Sequence, residues 1–181
     1  MRRIRLCAAL VAIAGAASIR PAIATAQCTA SGAPASCNLP GSVSMTAGRV
    51  VRVQMSAGST ALTAPTPAAF DAGFNSTTGP AITVSANAAW TLSLRASAAL
   101  WTATNTSPGA PARTTKPAAD LKWSTASNGT FTPLTTTDVL LVGGSATASN
   151  ATTLYFQTLY GWTLDTPGNY SLAVVLTLTS P

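Results

Sequence analysis

The sequence predicts an all-β protein, because its apolar residues recur at every second position and the stretches between them are rich in Gly, Pro and Asn. No stretch gives a convincing amphipathic helix. Seven to nine such strands, separated by turn signals and without helices between them, favour two packed antiparallel sheets. We therefore expect one immunoglobulin-like β-sandwich of about seven to nine strands.

Residues 1–26 have the three parts of a secretory signal peptide. Residues 2–5 supply three arginines, residues 6–19 form a short apolar stretch, and residues 24–26 are the small residues that signal peptidase requires. The apolar stretch is too short to cross a hydrocarbon layer about 30 Å thick. We expect cleavage before Gln27, and hence a secreted, periplasmic or cell-surface protein with no membrane span after the signal is removed.

Removal of the signal peptide changes the charge of the protein. Four of the ten basic residues leave with it, so the formal net charge falls from +6 to +2. The remaining cations are scattered and have little aromatic interleaving, which argues against nucleic acid as a partner. Residues 27–181 contain 28 Thr and 17 Ser, so hydroxyl groups rather than charges would keep the surface wet.

Two cysteines, Cys28 and Cys37, remain after cleavage. An even pair in an exported protein is expected to form a disulfide, and closing so short a loop would stabilise the fold by about 2.5–3 kcal/mol in the entropic model. A metal or redox pair would need further ligands or a Cys-x-x-Cys spacing. We expect residues 27–40 to form a disulfide-closed segment and residues 41–181 to form the sandwich domain.

The predicted strands follow one another with turn-rich sequence between them. They cover residues 50–55, 81–86, 89–96, 121–125, 138–142, 152–162 and 170–179. The step at Asn87-Ala88 is either a turn or a bend within one long strand. Residues 104–116 have the composition of a long loop, and residues 143–150 that of a Gly/Ser/Ala connector.

The last predicted strand has the clearest alternation. One face carries five large apolar or aromatic residues: Tyr170, Leu172, Val174, Leu176 and Leu178. The preceding Thr166-Pro167-Gly168-Asn169 has the composition of a turn. We expect the apolar face to be buried.

The titratable residues of the chain exclude most known catalytic arrangements. The chain has no His and no Glu, and its acidic residues are Asp71, Asp120, Asp138 and Asp165. A Ser-His-Asp triad is impossible, and no Ser-x-x-Lys motif occurs. A pair of carboxylates for glycoside hydrolysis would require folding to bring two distant aspartates together. We expect a non-enzymatic protein with no catalytic residue, cofactor or metal site.

The aromatic residues have two interpretations, core packing or a stacking platform for sugars. Trp90 and Trp162 fall in phase with the alternation of their strands, so we expect them in the core. Trp101 lies beside the predicted long loop. It is our candidate for an exposed, ligand-facing aromatic residue.

The chain contains three short motifs, Trp90-Thr91-Leu92, Gly168-Asn169-Tyr170 and the C-terminal residues 176–181. Together they resemble the WxL domains of bacterial cell-wall proteins. WxL domains carry a second Trp-x-Leu in the C-terminal strand, where this chain has Leu176, whereas Trp162-Thr163-Leu164 lies before the turn. The resemblance implies a β protein attached noncovalently to peptidoglycan, with cell-wall polysaccharide as a partner.

A second resemblance is to pilin-like and spore-coat-like β-sandwiches, whose last strand also follows Gly-x-Tyr and alternates strongly. This resemblance implies subunits that complete one another by strand addition, so that other copies of the chain are the partners. We expect a structural or binding role at the bacterial cell surface. The alternatives are a pilin-like subunit and a glycan-binding module.

Overall fold

The computed structural model of the protein describes residues 29, 31–33, 36–37, 42–105 and 111–181. The chain divides into two compact units, Met1–Thr46 and Ala47–Pro181. The predicted signal peptide and Cys28 lie outside the described residues, so the cleavage site and the Cys28–Cys37 disulfide stay predictions. The described residues of the first unit contain no helix or strand.

The second unit is built almost entirely of strands. Its described elements are β1 (Val51–Met55), α1 (Pro67–Ala72), β2 (Phe74–Ala86), β3 (Trp90–Ala96), β4 (Thr102–Asn105), a 3₁₀ helix (Ala118–Asp120), β5 (Leu121–Ser124), β6 (Thr132–Pro133), β7 (Val139–Gly144), β8 (Thr147–Leu159), β9 (Gly168–Ser171) and β10 (Val174–Thr179). Every strand pair in this part of the chain is antiparallel. The prediction of an all-β, antiparallel protein is confirmed.

Two main sheets enclose the core, an arrangement consistent with a β-sandwich. One has five strands in the order β1-β2-β8-β5-β6, and the other has three in the order β10-β3-β7. A separate two-stranded sheet joins β4 to β9. Asn87 and Ala88 form the bend that takes the chain from β2 in the first sheet to β3 in the second. The immunoglobulin-like subclass stays a prediction.

The core lies between the two main sheets and takes alternate residues from each strand. Its largest fully buried apolar side chains are Ile82 and Val84 from β2, Trp90, Leu92 and Leu94 from β3, Leu134, and Leu154 from β8. Since successive side chains of a strand point to opposite faces, a strand with one buried face shows this period of two in its sequence. The predicted inward direction of Trp90 is confirmed.

Two strands are longer than the sequence indicates. β8 begins at Thr147, inside the stretch expected to be a connector over residues 143–150, and that prediction is wrong. Small residues form strands there because their backbone groups pair with neighbouring strands. Gly144 at the end of β7 pairs with Trp90 of β3, and Thr147 at the start of β8 pairs with Ala86 of β2. Ser145 and Ala146 alone connect β7 to β8.

β2 continues through a Gly79-Pro80 step although it lies between two other strands. The register with β8 shifts between Thr78 and Ala81, so the proline, which has no N–H to donate, lies at an irregularity of the sheet. Glycine is needed beside it, because a Cβ atom at position 79 would lie 2.6 Å from the ring of Phe156.

The C-terminal stretch is two strands, so the prediction of one strand over residues 170–179 is wrong. β9 pairs with β4, and β10 pairs with β3, with a break at Leu172-Ala173. The apolar face points to the core as predicted, but its residues are only partly buried. The reason is that β10 is the edge of the three-stranded sheet.

Tyr170 holds the start of β9 in place. Its hydroxyl donates to the carbonyl of Thr166 at 2.7 Å and accepts from the backbone N–H of Arg113 at 2.9 Å. A tyrosine bonded to a carbonyl a few residues upstream is a recurrent corner of β-sandwiches. Gly168 precedes it because a Cβ atom there would lie 2.7 Å from Cβ of Ala112. This is the structural basis of the Gly-x-Tyr motif.

Candidate functional site

The predicted ligand-facing aromatic residue, Trp101, is buried. Its side chain is 5% exposed, and its indole N–H donates to the carbonyl of Pro117 at 3.0 Å. Its backbone N–H donates to the carbonyl of Lys116 at 2.9 Å, so residues 116–117 fold back against it. The prediction that Trp101 is exposed is therefore wrong, because proximity to a loop in sequence does not expose a side chain that the loop covers.

Trp162, which we expected in the core, is 61% exposed. The sequence indicates a strand as far as residue 162, but β8 ends at Leu159 and Trp162 lies in the turn that follows. Leu164 is also exposed, whereas Trp90 and Leu92 of the other Trp-x-Leu triplet are buried. One triplet thus belongs to the core and the other to the surface.

The exposed indole of Trp162 is held in a fixed position. Its ring stacks on Phe70 with centroids 4.7 Å apart and an interplanar angle of 27°. Its N–H donates to Oδ1 of Asp71 at 3.0 Å. Phe70 also contacts Tyr160, with ring centroids 5.6 Å apart. We call Phe70, Tyr160 and Trp162 the aromatic platform.

The short helix α1 brings Phe70 and Asp71 to the platform. Thr66 caps its start by accepting the N–H of Ala69, Pro67 follows at the first helical position, and Gly73 ends it with φ of 79°. Tyr160 donates its N–H to the carbonyl of Gly73 at 3.0 Å and so joins the helix to the end of β8. This helix was not predicted from the sequence, although Thr66-Pro67 and the later Gly73 are its start and stop signals.

A largely buried cluster of four charged side chains lies next to the platform. Nζ of Lys116 is 2.7 Å from Oδ1 of Asp165 and 3.3 Å from Oδ2 of Asp120. Nη1 of Arg113 is 3.1 Å from Oδ2 of Asp120 and 3.2 Å from Oδ1 of Asp165. Two cations thus balance two carboxylates. We call these four residues the charged cluster.

Asp165 also closes the turn that carries Trp162. Its Oδ2 accepts the N–H of Gly161 at 2.9 Å, and its own N–H donates to the carbonyl of Gly161 at 2.9 Å. An aspartate side chain that accepts a nearby backbone N–H in this way is a common cap of a turn. The charged cluster therefore fixes the base of the turn on which the platform depends.

Tyr160 connects the platform to the charged cluster. Nζ of Lys116 lies 5.3 Å from the centre of the Tyr160 ring. Burial raises the pKa of the Tyr160 hydroxyl above its usual value, a hydrogen bond with Thr158 opposes this, and the charge of Asp165 adds to it. The phenol is thus neutral at ordinary pH and can donate a hydrogen bond.

Each of the four aspartates has a partner in the structure. Asp120 and Asp165 come together around the two cations, Asp71 accepts from Trp162, and Asp138 lies 3.5 Å from Nε of Arg95 at the surface.

In the part of the chain that the structure describes, no three residues of the His, Cys, Asp and Glu types lie close enough to hold a metal ion. That part also contains no helix long and apolar enough to cross a membrane.

Neither the models of known protein families nor the curated proteins give a match to this chain. The WxL-like and pilin-like resemblances therefore rest on the residues quoted for them.

Proposed function

We propose that this protein is an exported, non-enzymatic β-sandwich that binds polysaccharide at the bacterial cell surface through its aromatic platform. The observation that carries the proposal is the combination of exposure and fixed position at Trp162. An indole 61% exposed is usually free to move, whereas this one is stacked on Phe70 and hydrogen-bonded to Asp71. The site is thus preorganised, which reduces the entropy lost when a ligand binds.

The chemistry of the platform suits a sugar ring. A pyranose has one face of C–H groups, which packs on an aromatic ring, and a rim of hydroxyls, which needs hydrogen-bond partners. Trp162 supplies the ring, and Leu164, two residues later in the same turn, is a second exposed apolar side chain. Asp71 has a second carboxylate oxygen that can accept a hydrogen bond from a sugar hydroxyl.

The state of the carboxylates supports binding rather than hydrolysis. Asp120 and Asp165 each bond to both cations of the charged cluster, and Asp165 is further bound by the N–H of Gly161. A general acid needs access to the glycosidic oxygen. Asp120 and Asp165 face the two cations of the charged cluster, and their side chains are only 19% and 6% exposed.

The test is sedimentation of the purified protein with isolated cell-wall sacculi, comparing the unaltered protein with Trp162→Ala. We expect the substitution to weaken the apparent affinity about tenfold or more, as for a central aromatic contact. The matched control is Leu140→Ala, which removes an equally exposed apolar side chain from β7. Equal binding by the unaltered protein and Trp162→Ala would contradict the proposal.

A specific observation favours the pilin-like subunit as a second candidate. Among the described residues, β10 hydrogen-bonds to β3 alone, so its other edge presents unpaired backbone groups beside half-buried side chains. In the first unit, Val43 is fully exposed and Met45 almost fully so, with Ser44 between them. Such an exposed alternating segment can add to a free edge of another copy.

Light scattering across a range of protein concentrations tests this second candidate. We expect assembly at high concentration, and we expect Val43→Lys to shift its onset about tenfold or more in concentration by placing a charge in the added strand. Leu140→Lys is the control, because it places the same charge on another exposed apolar site. A monomer at every concentration would exclude strand addition between copies.

A further inference from the structure

Lys116 is the most deeply buried charged residue that the structure describes. Its side chain is 2% exposed, whereas lysines are almost never buried to this extent. Nζ lies against two carboxylates, Asp165 at 2.7 Å and Asp120 at 3.3 Å, and also donates to the carbonyl of Leu159 at 2.8 Å. Amide formation needs an amine, a carboxyl group beside it and a second group that can carry a proton. Lys116, Asp165 and Asp120 supply these three groups.

The charges of the cluster remain balanced if Lys116 and Asp165 condense. Two cations and two carboxylates are present before the reaction. An amide bond removes one of each, and Arg113 still pairs with Asp120 at 3.1 Å. Condensation therefore removes two buried charges, which are costly to desolvate, and leaves no charge unpaired.

We propose that Nζ of Lys116 and Cγ of Asp165 are joined by an isopeptide bond that the folded protein forms by itself. A proton first moves from the ammonium group to Oδ1 of Asp165, and the neutral amine then attacks Cγ. The C–N bond forms and the Cγ–Oδ1 bond breaks. Asp120 carries a second proton from Nζ to Oδ1, which leaves as water, so no other reactant is needed.

The surroundings of Asp165 favour this reaction. The N–H of Gly161, 2.9 Å from Oδ2, stabilises the negative charge that develops on that oxygen in the tetrahedral intermediate. The fold holds amine and carboxyl together, which replaces a bimolecular encounter by an intramolecular step of high effective concentration. Burial hinders the entry of the water that would reverse it.

The bond would join two loops that are distant in sequence. Lys116 precedes the 3₁₀ helix, and Asp165 lies in the turn between β8 and β9 that carries Trp162. The cross-link would fix the base of that turn covalently. The inference is independent of any ligand, since it depends on the cluster and not on what the platform binds.

Intact mass spectrometry of the purified exported protein is the first experiment. We expect a mass lower by one water than that of the processed sequence. Digestion with trypsin places the bond, because Pro117 prevents cleavage after Lys116 and no Lys or Arg follows Lys122. The expected product is peptide 114–122 joined to peptide 123–181. A mass equal to that of the processed sequence, with no loss of water, overturns the proposal. So does a loss of water confined to a single peptide, as in a cyclic imide.

Three variants then assign the roles. Lys116→Met and Asp120→Asn are both expected to show the full mass, the first because the amine is absent and the second because the proton carrier is absent. Asp138→Asn is the control, since Asp138 pairs with Arg95 outside the cluster, and it is expected to retain the loss of water. A loss of water that persists in Lys116→Met overturns the assignment to this lysine, and one that persists in Asp120→Asn overturns the role of Asp120.

Discussion

Replacing Trp90 by alanine is expected to lower the free energy of unfolding by about 3–5 kcal/mol, the range typical of large aromatic core residues. Trp90 is 2% exposed and opens the central strand of the three-stranded sheet. Its indole N–H donates to the carbonyl of Ser145 at 2.9 Å, and that bond would also be lost. Because a domain is stable by only about 5–15 kcal/mol, the variant would be close to unfolding.

Urea denaturation followed by circular dichroism measures this effect, and Trp162→Ala is the matched control. The control removes the same side chain from a site 61% exposed, where we expect a loss of about 1 kcal/mol from the aromatic contact with Phe70. A small loss at position 90, or a comparable loss at both positions, would contradict the burial that separates the two triplets. The same control shows whether any loss of wall binding in Trp162→Ala reflects unfolding.

Alternation in sequence was sufficient to predict that the chain is built of strands and which faces of β3 and β10 point to the core, but not where the strands begin and end. A strand that packs on one side must place apolar residues at every second position, and this constraint is local. β3 and the C-terminal stretch therefore have the inward faces expected for Trp90 and Leu176. Alternation within one strand does not show whether another strand pairs with its free edge. It thus gave no indication that β10 is an edge.

The candidate site was harder to predict because its contacts join distant parts of the chain. Trp162 stacks on a residue of α1 more than ninety positions earlier, and Lys116 meets Asp165 at a separation of 49. Trp101 and Trp162 are each followed directly by Thr, yet one is covered and the other is not. The signal that was available, Thr66-Pro67 with the later Gly73, indicates the helix but not what packs on it.

Leu94 and Leu176 are expected to differ in what their truncation costs, although they are direct cross-strand partners. Leu94 lies on the central strand β3 and is 0% exposed, so Leu94→Ala should lower the free energy of unfolding by about 2–5 kcal/mol. Leu176 lies on the edge strand β10 and is only partly buried. Less apolar area returns to water when it is truncated, so Leu176→Ala should cost about half as much or less.

Urea denaturation of both variants at low protein concentration gives the comparison, with Thr177→Ala as the control for the outward face of β10. Thr177 has a polar side chain on the opposite face from Leu176, so its truncation should change the free energy of unfolding by less than about 1 kcal/mol. Equal losses for Leu94→Ala and Leu176→Ala would contradict the edge position of β10. If the loss at Leu176 instead grows with protein concentration, another copy covers that edge, because burial that depends on association contributes only when the copies associate.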